Sequence, residues 1–312
     1  LASSSTRALF ARVSRYSERA IAPINNSAIS NDPAVPAFYC VHSVSGVAGT
    51  DFLNLAESLE PTIRFYGIQA PVTLMQDLEF GKSVESIAKF YADALVEFQP
   101  QGAFMVGGWS VGAVIALSIA NNLRARGREV GPLVAIDGAP ENTSYALRRW
   151  QLSYWREVAS NLLAWVKHAD VVRKRNMYSL LLSVSNNVSA IGKGLLGLNR
   201  AQKLSGRYAI ESLMDVSRFQ PSHVSFINRL FVAALDYTAP NYPGDVVVYE
   251  AAVKPLLYLP QIGRIWRKLA ARTELIEVVG THISMMREPY VAAMAKDLAP
   301  RILDFFRDRA TR

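Results

Sequence analysis

Cysteine is nearly absent: Cys40 is the only one in 312 residues. A single thiol excludes a disulfide framework and any zinc site built on cysteines. Its place in the apolar run Phe38-Tyr39-Cys40-Val41 reads as a buried strand position rather than a reactive group, and the lack of disulfides fits a reducing compartment, so a cytoplasmic protein is expected. Long apolar runs are missing too. Stretches such as Ala113 to Ala120 fall far short of the roughly 18 to 20 residues that a membrane-spanning helix needs, so no membrane span is expected. Charge is sparse at 19%, while half of the residues are apolar, which excludes a disordered chain and leaves ample material for a core. Histidine is scarce as well, with four in the chain, so any reaction needing an imidazole base has few candidates.

The net charge of +8 sits in one region. From Tyr145 to Ile210 there are eleven Lys/Arg against Glu157 and Asp170, a local balance of +9, and the remainder is close to neutral. Such a block is either a solvated helix face or a docking surface for an acidic partner. No zinc finger, recognition-helix signature or aromatic RNA-binding motif accompanies it, so nucleic acid is not expected as a partner.

Residues 1–32 are rich in Ser and Arg and read as a linker or N-terminal extension, since the chain opens at Leu1 rather than Met. Leu9, Val13, Tyr16 and Ala20 keep helical spacing within it. From Ala37 the pattern alternates between buried strands and amphipathic helices. Strands are predicted at Phe38 to Val41, Ile63 to Ile68, Phe104 to Gly107 and Leu133 to Ile136, with helices at Asp51 to Leu59, Val84 to Phe98 and Gly112 to Arg126. The alternation predicts an α/β fold, a mainly parallel sheet with helices on both faces, over residues 33–312. It lapses between about 141 and 240, where Leu147, Trp150, Tyr154, Val158, Leu162 and Trp165 mark a long amphipathic helix and predict a helical lid insertion. Strands resume at Asp245 to Tyr249 and Glu274 to Val278, and a final helix runs from about Tyr290 to Arg307.

The strongest chemical signal is Gly108-Trp109-Ser110-Val111-Gly112, a GxSxG motif between a short strand and a long helix, the context a nucleophile elbow requires. Its flanking glycines let strand and helix approach while the serine takes a strained turn. A serine hydroxyl is a weak nucleophile at neutral pH, so it needs a base and a carboxylate to orient that base. His282, in a loop after a late strand and before the final helix, is the expected base. His168 and His223 fall in the insertion, and His42 is expected to line the site. Asp137 follows the strand Leu133 to Ile136 and precedes Gly138, so its carboxylate leaves the carboxyl edge of the sheet, where ligands gather in open α/β folds. It is the expected acid, with Glu250 a distant second. Backbone N–H groups of Val111 and of Val44, in the loop His42-Ser43-Val44-Ser45-Gly46, are the expected oxyanion donors.

The ordered set Tyr39-Cys40-Val41-His42 with Gly46, Tyr66 to Pro71, Gly107 to Gly112, Val134 to Asp137 and Gly280 to Met286 resembles the thioesterase domains that terminate nonribosomal peptide and polyketide synthases. The resemblance spans about Ala34 to Phe306. It implies the α/β-hydrolase fold, a triad of Ser110, Asp137 and His282, and the insertion as a mobile lid. It also implies release of an acyl, peptidyl or polyketide chain from the phosphopantetheine arm of a carrier protein upstream in the same polypeptide, through an acyl-serine, by hydrolysis or cyclisation. No metal and no bound cofactor are called for. Two departures stand out: Ala113 occupies a position where a second glycine is frequent, and the span from Asp137 to His282 is long. A free-standing editing thioesterase, or a carboxylesterase or lipase on the same fold, is the alternative. An acyltransferase typically carries His where Trp109 stands, and a non-catalytic binding module would have no need of all three triad residues.

Overall fold

A computed structural model describes residues 18–25, 35–140, 152–168, 219–254 and 260–310. Its strands are β1 (Ile21–Pro23), β2 (Ala37–Val41), β3 (Arg64–Ile68), β4 (Val106–Trp109), β5 (Leu133–Ile136), β6 (Tyr242–Val253) and β7 (Ala270–Thr281). The helices are α1 (Ala48–Ser58), α2 (Val72–Met75), α3 (Val84–Phe98), α4 (Val111–Ala125), α5 (Leu152–Lys167), α6 (Pro221–Asp236), α7 (Ile262–Leu269) and α8 (Tyr290–Ala310). A single 3-10 turn, Ser284–Met286, joins β7 to α8.

Because side chains alternate across a strand, each central strand feeds two cores. Tyr39 and Val41 of β2 pack on one face of the sheet with α3, α4, α6 and α7, whereas Phe38 and Cys40 pack on the other with α1 and α8. The same alternation divides Leu133 and Ala135 from Val134 and Ile136 on β5. Phe38, Phe52 and Phe65 anchor the second core, the Phe65 ring lying 5.5 and 5.6 Å from the other two. Each such fully buried side chain stabilises the fold by about 1.5–3 kcal/mol.

The seven strands run in the order β1-β3-β2-β4-β5-β6-β7. All neighbours pair in parallel except β1, which lies antiparallel on β3 with Ile21 opposite Ile68 and Pro23 opposite Tyr66. The expected parallel α/β sheet with helices on both faces is therefore present. Helix α3 begins and ends where the sequence predicts, because Ser83 caps it by accepting the Ser86 N–H at 3.3 Å and the buried stripe Val84, Ile87, Ala88, Tyr91 and Leu95 keeps helical spacing.

Several boundaries differ. Within the stretch read as a linker, Ile21–Pro23 is an edge strand, and Asn25 is tied into the fold by donating to Ala56 O at 3.2 Å and Ile63 O at 3.0 Å. The strand expected from Phe104 instead spans Val106–Trp109, since Phe104 pairs only through an isolated bridge to Val130. Of the insertion, α5 and α6 are described; Leu147, Trp150 and the basic cluster Arg173 to Arg175 lie outside the described residues, as do Leu9, Val13 and Tyr16. Among the described residues no helix is long and apolar enough to cross a membrane.

Parallel strands end at one rim. His42 follows β2, Ser110 follows β4, Asp137 follows β5 and His282 follows β7, so residues distant in sequence emerge on one edge of the sheet.

Candidate active site

Ser110 sits between β4 and α4 at φ 59° and ψ −123°, a conformation rare for any residue but glycine. The Ser110 N–H donates to Ile136 O at 2.8 Å, which fastens the elbow to β5. Glycines make the bend possible. A Cβ on Gly108 would lie 2.1 Å from the Gly112 carbonyl oxygen, and one on Gly112 would lie 2.3 Å from that of Val41, so the strand and helix backbones meet where only hydrogen fits.

Asp137 is likewise in the left-handed region, at φ 45°. Its N–H donates to Tyr249 O at 2.7 Å, and its Oδ1 accepts the Ala251 N–H at 2.9 Å, so β6 fixes both the backbone and one carboxylate oxygen. The next residue, Gly138, presses against the elbow: a Cβ there would lie 2.0 Å from the Ser110 carbonyl oxygen. Trp266 of α7 donates its indole N–H to Gly138 O at 2.8 Å and holds the turn in place.

His282 reaches this corner from a turn that closes on itself. Thr281 N–H donates to Ser284 Oγ at 2.8 Å, Ser284 N–H donates to Thr281 Oγ1 at 3.3 Å, and Gly280 adopts φ 127°. The result is a short contact between His282 Nδ1 and Asp137 Oδ2 at 2.7 Å. With Nδ1 committed to the carboxylate, Nε2 is the ring nitrogen left for proton transfer. The imidazole stacks on Trp109, centroids 5.2 Å apart and planes 30° apart, which sets its tilt beside the residue that precedes Ser110. No hydrogen bond joins Ser110 Oγ to His282, an arrangement in keeping with catalytic contacts that tighten only when substrate is bound. Asp137 and His282 are thus in direct contact, and Ser110 is held beside them through Gly138 and Trp109. Glu250 is directed elsewhere, to Lys254 Nζ at 2.6 Å.

The loop after β2 is tied on several sides. Ser43 N–H donates to Asp51 Oδ2 at 2.7 Å, Ser45 Oγ contacts both Asp51 oxygens at 3.3 and 3.2 Å, and Val47 N–H donates to Ser45 Oγ at 3.1 Å. Gly46 N–H donates to Ser43 O at 3.2 Å. Among the described residues nothing accepts from the N–H of Val44 or of Val111, so both remain available to a ligand oxygen. His42 is buried, its Nε2 2.7 Å from the Tyr91 hydroxyl and its Nδ1 against Ser43 O. Burial pushes His42 down to about 4, so it is neutral at physiological pH and is no competitor for the base. Withdrawal from water pushes the Asp51 carboxyl up to about 6, against the bonds from Ser43 and Ser45 and the charge of His282, which favour its ionised form.

Asp51 and His223 escaped the sequence reading. An acid in the first turn of a helix is ordinarily a dipole partner, and nothing in the sequence signals that its carboxylate turns back to Ser43. His223 stands 178 residues from Ser45, whose carbonyl oxygen it meets at 2.6 Å. Only the fold brings the two together.

A serine on a strand-to-helix elbow, a carboxylate-bound histidine at the same rim and a mainly parallel sheet are the arrangement of the α/β-hydrolase fold. Residues 36–174, a little under half of the chain, match the thioesterase-domain family model. It is 29% identical over 143 residues to enterobactin synthase component F of Escherichia coli (strain K12), covering 46% of this chain and 10% of that protein. It is 38% identical over 101 residues to the non-reducing polyketide synthase Dhc5 of Alternaria cinerariae, covering 32% of this chain and 5% of that protein. The chain therefore spans a tenth or less of these relatives. Its fold is similar to the thioesterase domain SrfTE, described as cyclising the lipopeptide antibiotic surfactin, with a TM-score of 0.54, 14% identity, and coverage of 93% of this chain and 96% of that one.

Proposed function

We propose that this chain releases an acyl, peptidyl or polyketide product from the phosphopantetheine arm of a carrier protein, with Ser110 as nucleophile, His282 as base and Asp137 as its orienting acid. The contact of His282 with Asp137 beside the strained Ser110 elbow carries this reading. Similarity to synthases that are themselves multidomain supports a carrier partner.

In the first half-reaction Ser110 Oγ attacks the thioester carbonyl carbon while its proton passes to His282 Nε2. The imidazolium that forms is stabilised by Asp137, and the negative oxygen is received by the N–H groups of Val44 and Val111. Each such donor contributes roughly 3 kcal/mol to the transition state. The C–S bond then breaks, and the thiolate leaves as a thiol with the proton held on His282. In the second half, water or a hydroxyl or amine of the acyl chain gives its proton to His282 and attacks the acyl-serine. Collapse returns the proton to Ser110 Oγ and frees an acid or a ring. Every proton and bond is accounted for by protein groups and substrate, so no metal or bound cofactor enters these steps. Operation in a reducing cytoplasm belongs to the same reading, supported by Cys40 being a buried free thiol.

Incubation with a panel of N-acetylcysteamine thioesters tests it. The expected result is an acyl mass adduct on Ser110, followed by free acid or a cyclic product, and neither with Ser110→Ala. Turnover of simple oxygen esters with no thioester turnover would overturn it in favour of an esterase.

A further inference from the structure

The proposed Val44 donor belongs to the amide plane that also carries the Ser43 carbonyl. In a planar trans amide the N–H and C=O point in opposite directions, so whatever holds the oxygen aims the hydrogen. Ser43 O is held by the Gly46 N–H at 3.2 Å and by His42 Nδ1, whose other nitrogen meets the Tyr91 hydroxyl. That fixes the tilt of the plane, while the position of the loop depends on two further tethers.

The first comes from α1, where Asp51 Oδ2 accepts the Ser43 N–H and both of its oxygens take the Ser45 hydroxyl. The second comes from α6, where His223 Nε2 meets Ser45 O at 2.6 Å. The His223 ring is itself wedged between Phe219 and Phe226, at centroid distances of 4.7 and 6.4 Å. Phe226 also closes on the loop, for a Cβ on Gly46 would lie 2.7 Å from its Cε1.

We propose that Asp51 and His223 are positioning residues which clamp the Ser43 to Ser45 loop between α1 and α6 and thereby hold the Val44 N–H where the acyl oxygen becomes negative. The inference rests on the serine-hydrolase reading and on Val44 as a donor.

The choice of a carboxylate at position 51 bears on this. An asparagine of the same shape would accept the Ser43 N–H without the cost of withdrawing a charge from water, so fold stability alone gives no reason for the acid. What the charge adds is electrostatic. Among the titratable groups that face Asp51 are Cys40, from β2, and His282, from the turn after β7. The charge of His282 favours the ionised form of Asp51, so the carboxylate that braces the loop is also the group that faces a positive charge at the rim. Residues retained for activity against stability are the expected place for such a trade-off.

The test uses the full chain with a fluorophosphonate probe, whose phosphoryl oxygen takes the place of the developing oxyanion when Ser110 is phosphonylated. Asp51→Asn, Asp51→Ala and His223→Phe, the last keeping the aromatic packing, are compared with wild type by kinact, KI and melting temperature at pH 8. Loss of a whole oxyanion donor costs about 100- to 1000-fold, so displacement of one should lower kinact about 10- to 100-fold in Asp51→Ala and His223→Phe. KI should stay within about threefold, and Asp51→Asn should lose about tenfold in kinact while melting no lower than wild type. Kinact within twofold of wild type in both Asp51→Asn and His223→Phe would overturn the clamp. So would a loss confined to KI, or one that follows a lowered melting temperature in both variants. Asp51→Asn and His223→Phe decide the matter even where Asp51→Ala does not fold. A wild type that fails to label at Ser110 overturns the serine-hydrolase reading and the clamp with it, whereas normal wild-type labelling with unaffected variants overturns the clamp alone.

Discussion

Ser110 at φ 59° and Asp137 at φ 45° are the two described non-glycine residues in the left-handed region, and they are the proposed nucleophile and acid. Such a backbone costs of order 1–3 kcal/mol per residue and persists where the surroundings over-determine it. Here the Ser110 N–H bond to Ile136, the Asp137 N–H bond to Tyr249 and the close approach of Gly138 do so. Replacing Asp137 by Asn keeps the shape but favours the wrong imidazole tautomer. Thioester kcat should then fall about 10³- to 10⁴-fold with KM little changed, as steady-state kinetics would show. Asp51 makes a separate prediction about pH. Its folded value of about 6 lies above the ordinary 3.8, so between those limits the folded protein binds more protons than the unfolded chain. Its contribution to stability is therefore greatest below pH 3.8, declines as pH rises to about 6, and is level above that. Melting curves of Asp51→Asn and wild type should converge toward pH 4 and separate in favour of the variant toward pH 7.

At the scale of elements, the site is a set of strand ends locked by close backbone contacts. Gly138→Ala would set a methyl group 2.0 Å from the Ser110 carbonyl oxygen, with backbone rather than a flexible side chain in the way. Overpacking of this kind commonly costs about 1–3 kcal/mol, and here the upper end or more is expected in urea unfolding, with loss of fluorophosphonate labelling. Helix α5 is stapled to the sheet as well. Asn161 accepts the Lys254 N–H and donates to Lys254 O, both at 3.1 Å, and Trp165 Nε1 donates to the same oxygen at 2.8 Å. Asn161→Ala leaves the Lys254 N–H without its acceptor and should destabilise the chain by about 1–3 kcal/mol in the same measurement. Elements with a strong local signal were readable in advance. The Ser83 cap and apolar stripe define α3, whereas β1 is three residues long and exists because β3 offers it an edge.

For the whole molecule, the charge distribution makes a prediction about the carrier. Reversing Arg173, Lys174 and Arg175, which lie outside the described residues, should slow turnover of carrier-bound thioester by roughly tenfold at low salt and spare N-acetylcysteamine thioesters. Raising ionic strength should narrow the difference, since screening shortens the reach of such charges to about 8 Å at 0.15 M. By itself the sequence determined the alternation of strand and helix, the Gly108 to Gly112 elbow, and Ser110, Asp137 and His282 as the residues to examine. Those readings follow from local physics: side-chain periodicity, glycine where backbones must touch, and scarcity of histidine. Only the tertiary structure decided that Asp137 rather than Glu250 meets His282, that Trp109 stacks on that imidazole, and that Asp51 and His223 grip one loop from opposite helices. These are meetings of groups up to 178 residues apart in the chain, set by sheet order and crossover connections, and pairing across such distances leaves no local trace in the amino-acid order.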